Sequence, residues 1–411
     1  MPSRMRGGLD RAFSIDDLAA LARRRLPRAV YDFYEGGAED ETSLRANREA
    51  FGGVRLLPRA LVDVGTVDTA ASLLGATVAL PLGIAPMGAV GFGRRGGDVD
   101  LARAAAKAGI PYVLSTTGTA SIERIGDVGG RLWFQLYPLK RRDAAVRLVE
   151  RARAAGFEAL VLTVDVPVGG KRERDLRNDF AMPFRYTPRN VLDFASRPAW
   201  ALDMLWHGVP VLENMAGLAD TAADASQMAS SVGREFDPAF GWHDLDALRD
   251  AWRGKLIVKG ILRAADARRA VDIGCDGVIV SNHGGRQLDA AVDSLTALPA
   301  IVAEVGHRAD VMVDGGIRRG SDIVKALALG AKAVLIGRPA LYGVCAQGEA
   351  GATRSIDILR DELVRTLRLC GLPAVARVTA DALYEPEAIF GARHTGEAAH
   401  GTASAGAVHR E

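Results

Sequence analysis

The chain has 411 residues, 48% of them hydrophobic and 25% charged, and a net charge of +2. That length suits one large α/β barrel with additions or two ordinary domains. The near-neutral balance gives no bulk electrostatic case for nucleic acid. Three cysteines, Cys275, Cys345 and Cys370, show neither metal spacing nor a disulfide framework, so the expectation is no metal site and a reducing cytoplasm.

In chain order, Arg4, Arg6, Asp10 and Arg11 precede any apolar run, so no secretory signal is expected. Residues 14–60 read as two short helices, with Ser14 as N-cap and Pro27 starting the second. The uncharged stretch Thr69 to Gly93 is long enough to raise the question of a membrane span. Pro81, Pro86 and its glycines favour instead a strand, Leu80 to Ala85, followed by a glycine-rich loop. From there one phrase recurs: a helical segment, a glycine, then an apolar strand. It appears at Ala108-Gly109-Ile110, Ala155-Gly156-Phe157, Ile273-Gly274-Cys275 and Leu329-Gly330-Ala331. Glycine is favoured where a helix ends in the left-handed conformation. The unbroken Val/Ile/Leu runs that follow indicate parallel strands covered on both faces.

Strands are expected around Leu82, Val113, Phe134, Val161, Ile257, Ile279, Val311 and Leu335. Helices are expected over Asp98–Lys107, Asp143–Ala154, Ala264–Val271, Leu295–Val305 and Ser321–Ala328. Eight β/α units predict a TIM (β/α)8 barrel. A doubly wound sheet is the alternative, but no Gly-x-Gly-x-x-Gly follows a strand. The chain reads as a single barrel domain over residues 1–394, with N-terminal helices at 14–60, an insert over 174–241 after the fourth strand, and a disordered tail at 395–411.

The strand ends carry the polar groups a barrel site needs. In turn they are Pro86-Met87-Gly88, then Ser115-Thr116-Thr117, Gln135-Leu136-Tyr137, and Thr163-Val164-Asp165 with Arg172 beyond. Lys259 follows, then Ser281-Asn282-His283-Gly284-Gly285-Arg286, Asp314-Gly315-Gly316-Ile317-Arg318 and Gly337-Arg338. His283 can move a proton near neutral pH, and Arg286 offers a planar fork suited to a carboxylate. Glycines and arginines after strands seven and eight suit a phosphate, although each Gly-Gly alone is equally a tight turn.

Ser281 to Gln287, with Val30-Tyr31-Asp32, Gly36-Gly37-Ala38-Glu39-Asp40-Glu41, Asp314-Gly315-Gly316 and Arg319 to Ala331, resembles the FMN-dependent α-hydroxy-acid dehydrogenase/oxidase family from about Phe13 to Glu385. Arg172 to Leu176, Val191-Leu192-Asp193 and the Trp200 to Gly208 segment resemble the insert of its mandelate-oxidising branch. The resemblance implies FMN and a small 2-hydroxy-acid substrate. It makes His283 the base, Asp165 its partner, Arg286 and Arg172 a carboxylate clamp, and Tyr137 a substrate hydrogen-bond donor. Lys259 would face the pyrimidine end of the flavin, and Ser115, Gln135 and Thr163 its ring. Pro86, Met87, Gly88, Ser281, Asp314, Gly316, Arg318, Gly337 and Arg338 complete the implied cofactor set. One position departs: Phe33 stands where the family usually has tyrosine. Phe33, Thr117 and Gly88 together favour a bulky or aromatic acid. The electron acceptor stays open between a quinone or other carrier and O2. A barrel that binds a phosphorylated ligand without turnover is the rival of another class. The resemblance also implies a homo-oligomer, a tetramer.

The insert interleaves Val191, Leu192, Phe194, Trp200, Leu202, Met204, Leu205, Trp206, Val209 and Val211 with Arg185, Arg189, Arg197 and His207. Such a mixture fits a membrane interface, on the inner face of the cell membrane, or packing on the barrel or a neighbouring subunit. Arg185 to about Met215 is expected to be removable without loss of the site.

Overall fold

The computed structural model describes residues 8–180, 186–216 and 235–384. The proposed tail at 395–411, Arg185 and residues 217–234 of the insert lie outside them. Eight parallel strands form a closed barrel, and all eight expected positions are strands: β3 (Leu82–Ile84), β4 (Tyr112–Ser115), β5 (Leu132–Leu136), β6 (Ala159–Thr163), β7 (Lys255–Ile261), β8 (Gly277–Val280), β9 (Asp310–Asp314) and β10 (Ala333–Ile336). Closure comes from β10 pairing with both β9 and β3.

The unbroken apolar runs divide by strand alternation. Val113, Trp133, Val161, Ile257, Ile279, Met312 and Leu335 fill the barrel interior. Leu114, Phe134, Leu160 and Leu162 face the helical ring. A hairpin that the sequence did not signal, β1 (Ala71–Leu73) with β2 (Ala76–Val78), contributes Leu73, Leu74 and Val78 to the interior cluster. Leu74 N donates to Asp310 Oδ2 at the start of β9, so the hairpin plugs the N-terminal mouth and leaves the C-terminal mouth for chemistry.

Residues 14–60 hold three helices, not two: α1 (Ile15–Arg25), α2 (Arg28–Glu35) and α3 (Thr42–Gly53). Ser14 caps α1 as expected, in a capping box with Asp17. The expectation missed α3 because its buried residues are Ser43, Asn47 and Phe51, a face too polar to show hydrophobic periodicity. Around the barrel run α4 (Gly97–Ala108), α5 (Ile122–Gly126) and α6 (Arg142–Ala154). The insert supplies α7 (Glu173–Arg177), α8 (Pro188–Ala195) and α9 (Pro198–His207). Then come α10 (Trp242–Ala251), α11 (Ala264–Asp272), α12 (Ser294–Val305), α13 (Gly320–Ala328) and α14 (Arg338–Leu369). Helix α14 breaks at Gln347 and Gly348, where the backbone leaves helical angles.

The insert divides between the two readings offered for it. Trp200 and Phe194 are buried with their rings tilted and their centres 5.1 Å apart, and Trp200 Nε1 donates to Phe92 O at 2.7 Å. Leu202, Leu205, Trp206, Val209 and Val211 are exposed, Trp206 to 87%. No helix among the described residues is long and apolar enough to cross a membrane.

Candidate active site

Strand β8 ends at Val280, and the next residues turn sharply. His283, Gly284 and Gly285 all have left-handed backbone, with φ of 59, 64 and 75°. Glycine adopts this freely, but histidine does so only where the surroundings hold it. They do. Asn282 and Asn47 of α3 exchange amide hydrogen bonds of 2.7 and 3.0 Å. His283 N donates to Ser281 Oγ at 3.0 Å, and Ala38 N donates to Gly285 O at 2.9 Å. A Cβ on Gly285 would lie 2.6 Å from Leu44 Cα, so the glycine lets α3 dock against the loop.

His283 Nδ1 lies 2.9 Å from Asp165 Oδ1, and its Nε2 has no hydrogen-bond partner among the described residues. Asp165 reaches it past Gly260, where a Cβ would come within 2.7 Å of the Asp165 carboxyl carbon. Burial acts to raise the Asp165 carboxyl, but the neighbouring His283 and Lys259 outweigh it and hold it below its ordinary value. Lys259 is buried; its Nζ donates to Ser281 Oγ at 2.8 Å and lies 3.2 Å from Asp314 Oδ2. Burial disfavours its charge, yet Asp314 and Asp165 together raise it above the usual lysine value. Ser281 Oγ therefore ties the lysine and the histidine backbone to one atom.

A cavity of about 390 Å³ opens beside these groups. Of the residues proposed from sequence, Phe33, Pro86, Met87, Gly88, Thr117, Tyr137, Thr163, Arg172, Lys259, His283, Arg286, Asp314, Gly316, Arg318, Gly337 and Arg338 line it. Ser115, Gln135, Asp165 and Ser281 stand behind the lining: Ser115 Oγ donates to Gln135 Oε1 at 3.0 Å and lies 3.0 Å from Thr117 Oγ1.

Arg286 Nη1 is anchored by the carbonyls of Phe33 and Gly36, 2.8 Å each, which leaves its Nε–Nη2 edge without a hydrogen-bond partner among the described residues. Burial, then the like charges of Arg172 and Arg338, push its guanidinium below the ordinary arginine value, a shift that a bound carboxylate would oppose. Arg286 lies 5.3 Å and Arg172 5.9 Å from the Phe33 ring centre. Phe33 is thus the shared floor of the proposed clamp. Arg338 is committed to protein: it donates to the carbonyls of Tyr34, Gly284 and Gly36 at 2.9–3.1 Å. Arg318 Nη1 likewise donates to Ile317 O at 2.9 Å.

Two expectations need correction. Gly88 and Thr117, read with Phe33 as favouring a bulky acid, do not give two independent spaces: a Cβ on Gly88 would overlap Thr117 Oγ1, so Thr117 fills the room that Gly88 leaves. The segment from Arg185 to Met215 is not wholly separable. Leu212 lines the cavity, Met215 is buried, and Asn214 Oδ1 accepts from Ile122 N at 2.9 Å. The sequence reading also missed Val166 and Phe236 in the lining. Phe236 stacks on Tyr137, ring centres 4.4 Å apart; it lies outside any helix or named strand, and no motif marks it.

Residues 22–385 match the FMN-dependent dehydrogenase family. The chain belongs to that family. It is 46% identical over 372 residues to the (S)-mandelate dehydrogenase of Pseudomonas putida, covering 90% of this chain and 93% of that one. It is 42% identical over 374 residues to an L-lactate dehydrogenase of Caulobacter vibrioides, covering 90% and 97%. Among solved structures, a monotopic membrane protein, (S)-mandelate dehydrogenase, superposes with a TM-score of 0.87 at 45% identity, over 90% of this chain and 99% of that one. A mandelate oxidase superposes with a TM-score of 0.77 at 40% identity, over 90% and 98%.

The protein is an FMN-dependent oxidoreductase, and its residues fit that cofactor. Gln135 Nε2 and Thr163 Oγ1 are buried at the ends of β5 and β6 without a partner among the described residues. Buried polar atoms are rarely left so, and the polar edge of a flavin ring would satisfy both. After β9 and β10, Gly315, Gly316 and Gly337, with the start of α14, supply the glycine-lined helix N-terminus that a phosphate needs.

Proposed function

We propose that this enzyme oxidises a bulky, preferably aromatic, (S)-2-hydroxy acid to the corresponding 2-oxo acid. The observation that carries the reading is one cavity holding a carboxylate-oriented His283, two arginines around Phe33, and an aromatic wall of Tyr137 on Phe236. Arg286 and Arg172 take the substrate carboxylate, Arg286 through its free edge and Arg172 while still tied to Asp175 at 2.9 Å. This fixes the α-carbon beside His283. Tyr137, whose phenol is kept protonated by burial and then by Asp165, donates a hydrogen bond to the substrate.

Oxidation takes two protons and two electrons from the substrate's H–C–OH group: His283 Nε2 removes the proton of the α-carbon, the hydroxyl proton following, or removes the hydroxyl proton where the α-hydrogen leaves with the electron pair, while Asp165 holds Nδ1–H and offsets the positive charge that the ring gains. FMN supplies the acceptor for the two electrons. Lys259, kept charged by Asp314 and Asp165, stabilises negative charge developing next to it. Gln135, Thr163 and Ser115 would hold the flavin ring, and Gly316, Gly337 and Arg318 its phosphate end, while Arg338 braces the surrounding carbonyls. The aromatic wall and Phe33, which removes a hydroxyl, favour a phenyl-bearing acid over glycolate or lactate, in keeping with the mandelate enzymes among the relatives.

We further infer that the enzyme works on the surface of a membrane and passes its electrons to a quinone or similar carrier. The exposed row Leu202, Leu205, Trp206 and Val209 recurs at one-turn spacing on and just beyond α9, as an interfacial helix requires. Anaerobic bleaching of the yellow protein by a panel of 2-hydroxy acids tests the chemistry. Mandelate should bleach it fastest, and preference for glycolate would refute the substrate. Peroxide formed in step with substrate in air would identify an oxidase instead.

A further inference from the structure

A second cavity, about 660 Å³, lies outside the barrel between the N-terminal helices and the insert. Six arginines line it: Arg23 of α1, Arg28 of α2, Arg174 and Arg177 of α7, Arg189 of α8, and Arg197 at the start of α9. Asp32 is its one acidic lining residue among those described. Cations in the last turn of α1 are explained by the helix dipole. Guanidiniums converging from four further elements are not.

The partners show where charge is left over. Arg28 and Arg174 share Asp32, Arg174 also meets Glu41, and Arg177 meets Glu173. Asp193 is spent on the first amides of α2, Arg28 N and Ala29 N. Arg189 and Arg197 donate to the carbonyls of Arg177 and of Leu26 and Ser196, which fixes them without neutralising them. Arg23 lies 5.9 Å from the centre of the Tyr31 ring. Three guanidiniums thus face one cavity without a carboxylate among the described residues, and Arg28 is 73% exposed to solvent.

We propose that this cavity is a binding site for a phosphate group. A phosphate presents more acceptor oxygens than a carboxylate and suits several planar donors at once. The site is separate from the cavity around His283, which shares none of its lining residues. The same segment that supplies Arg189 and Arg197 carries Val191, Leu192 and the exposed row on α9, so the natural source is the headgroup of an anionic phospholipid. This lipid assignment rests on the membrane reading above; the phosphate site itself does not.

The test uses the FMN-loaded full chain and the variants Arg23→Gln, Arg28→Gln and Arg189→Gln, with Arg147→Gln on α6 as a charge-matched control. Sedimentation with phosphatidylcholine vesicles, with and without phosphatidylglycerol, gives membrane affinity; calorimetry with inorganic phosphate gives the site directly. Each cavity variant should weaken binding to the anionic vesicles about fivefold, and saturable phosphate binding should fall with it. Neutral-vesicle binding, flavin content and turnover should stay unchanged. Phosphate binding lost in the variants while anionic vesicles bind them normally would support a site for free phosphate and overturn the lipid source. An equal loss in Arg147→Gln would mean diffuse charge and overturn the site. If the parent binds neutral vesicles but neither phosphate nor anionic lipid preferentially, the site fails and the membrane reading stands. If it binds no vesicle yet binds phosphate, the membrane reading fails and the site stands.

Discussion

Two segments leave the C-terminal mouth of the same barrel and end in opposite conditions. The His283 loop after β8 is tied down at nearly every polar group, to Asn47, Asp165, Ser281 and Ala38. The insert after β6 is pinned by Trp200, Asp193 and Asn214, and between those points it presents apolar side chains outward. A strand end becomes a place for chemistry when the fold holds its backbone in a form it would not choose alone. It presents an outward surface when it is held only at scattered points along its length.

The sharpest way to break this comparison is at the loop. His283→Gln should keep FMN and lose about 10²–10⁴-fold in the rate of anaerobic flavin reduction; near-normal bleaching would remove His283 from the role of base. Arg286→Lys comes next. Lysine keeps a charge but cannot reach the Phe33 and Gly36 carbonyls and also present a second edge. The KM for the acid should rise about tenfold or more with flavin content unchanged, and an unchanged KM would move the carboxylate to Arg172.

Phe33→Tyr adds a hydroxyl at the floor of the clamp. One hydrogen bond there is worth about 0.5–1.5 kcal/mol, so the ratio of kcat/KM for glycolate to that for mandelate should rise about two- to tenfold. No change would mean that the ring, not its missing hydroxyl, sets the preference.

The smallest effect is in pH. Asp165 is held below its ordinary value of 3.8, so its stabilisation is complete above that pH and is lost as pH falls through the lower folded value. Lys259 is raised above 10.5, so its share is complete below that pH and is lost as pH rises through the higher folded value. Chemical denaturation should therefore show no contribution from either group to the pH dependence between pH 5 and 10. Asp165→Asn should flatten the acid limb and Lys259→Met the alkaline one.

The barrel was legible because its strands are apolar on both faces and its helices end in glycine; both signals are local. His283, Arg286 and Lys259 were legible because strand ends are where such residues have a use. What the sequence hid is what depends on distant partners. Helix α3 buries Ser43 and Asn47, which hydrogen-bond to Asp289 and Asn282, and a polar face has no hydrophobic period to find. Arg338 looked like a phosphate ligand, yet its donors brace three carbonyls on two separate segments. Gly88 and Thr117 looked independent because nothing in their spacing says that one occupies the space of the other.

The pairing of Asn47 with Asn282 has a consequence for the order of assembly. The two residues are 235 positions apart. At a synthesis rate of roughly 5–20 residues per second, the first waits about 10–50 seconds for the second to exist. Helix α3 therefore leaves the ribosome with its polar face unmatched, and no early intermediate can bury it at a profit. Its docking has to follow β8, so the loop bearing His283 is locked late, by the oldest part of the chain.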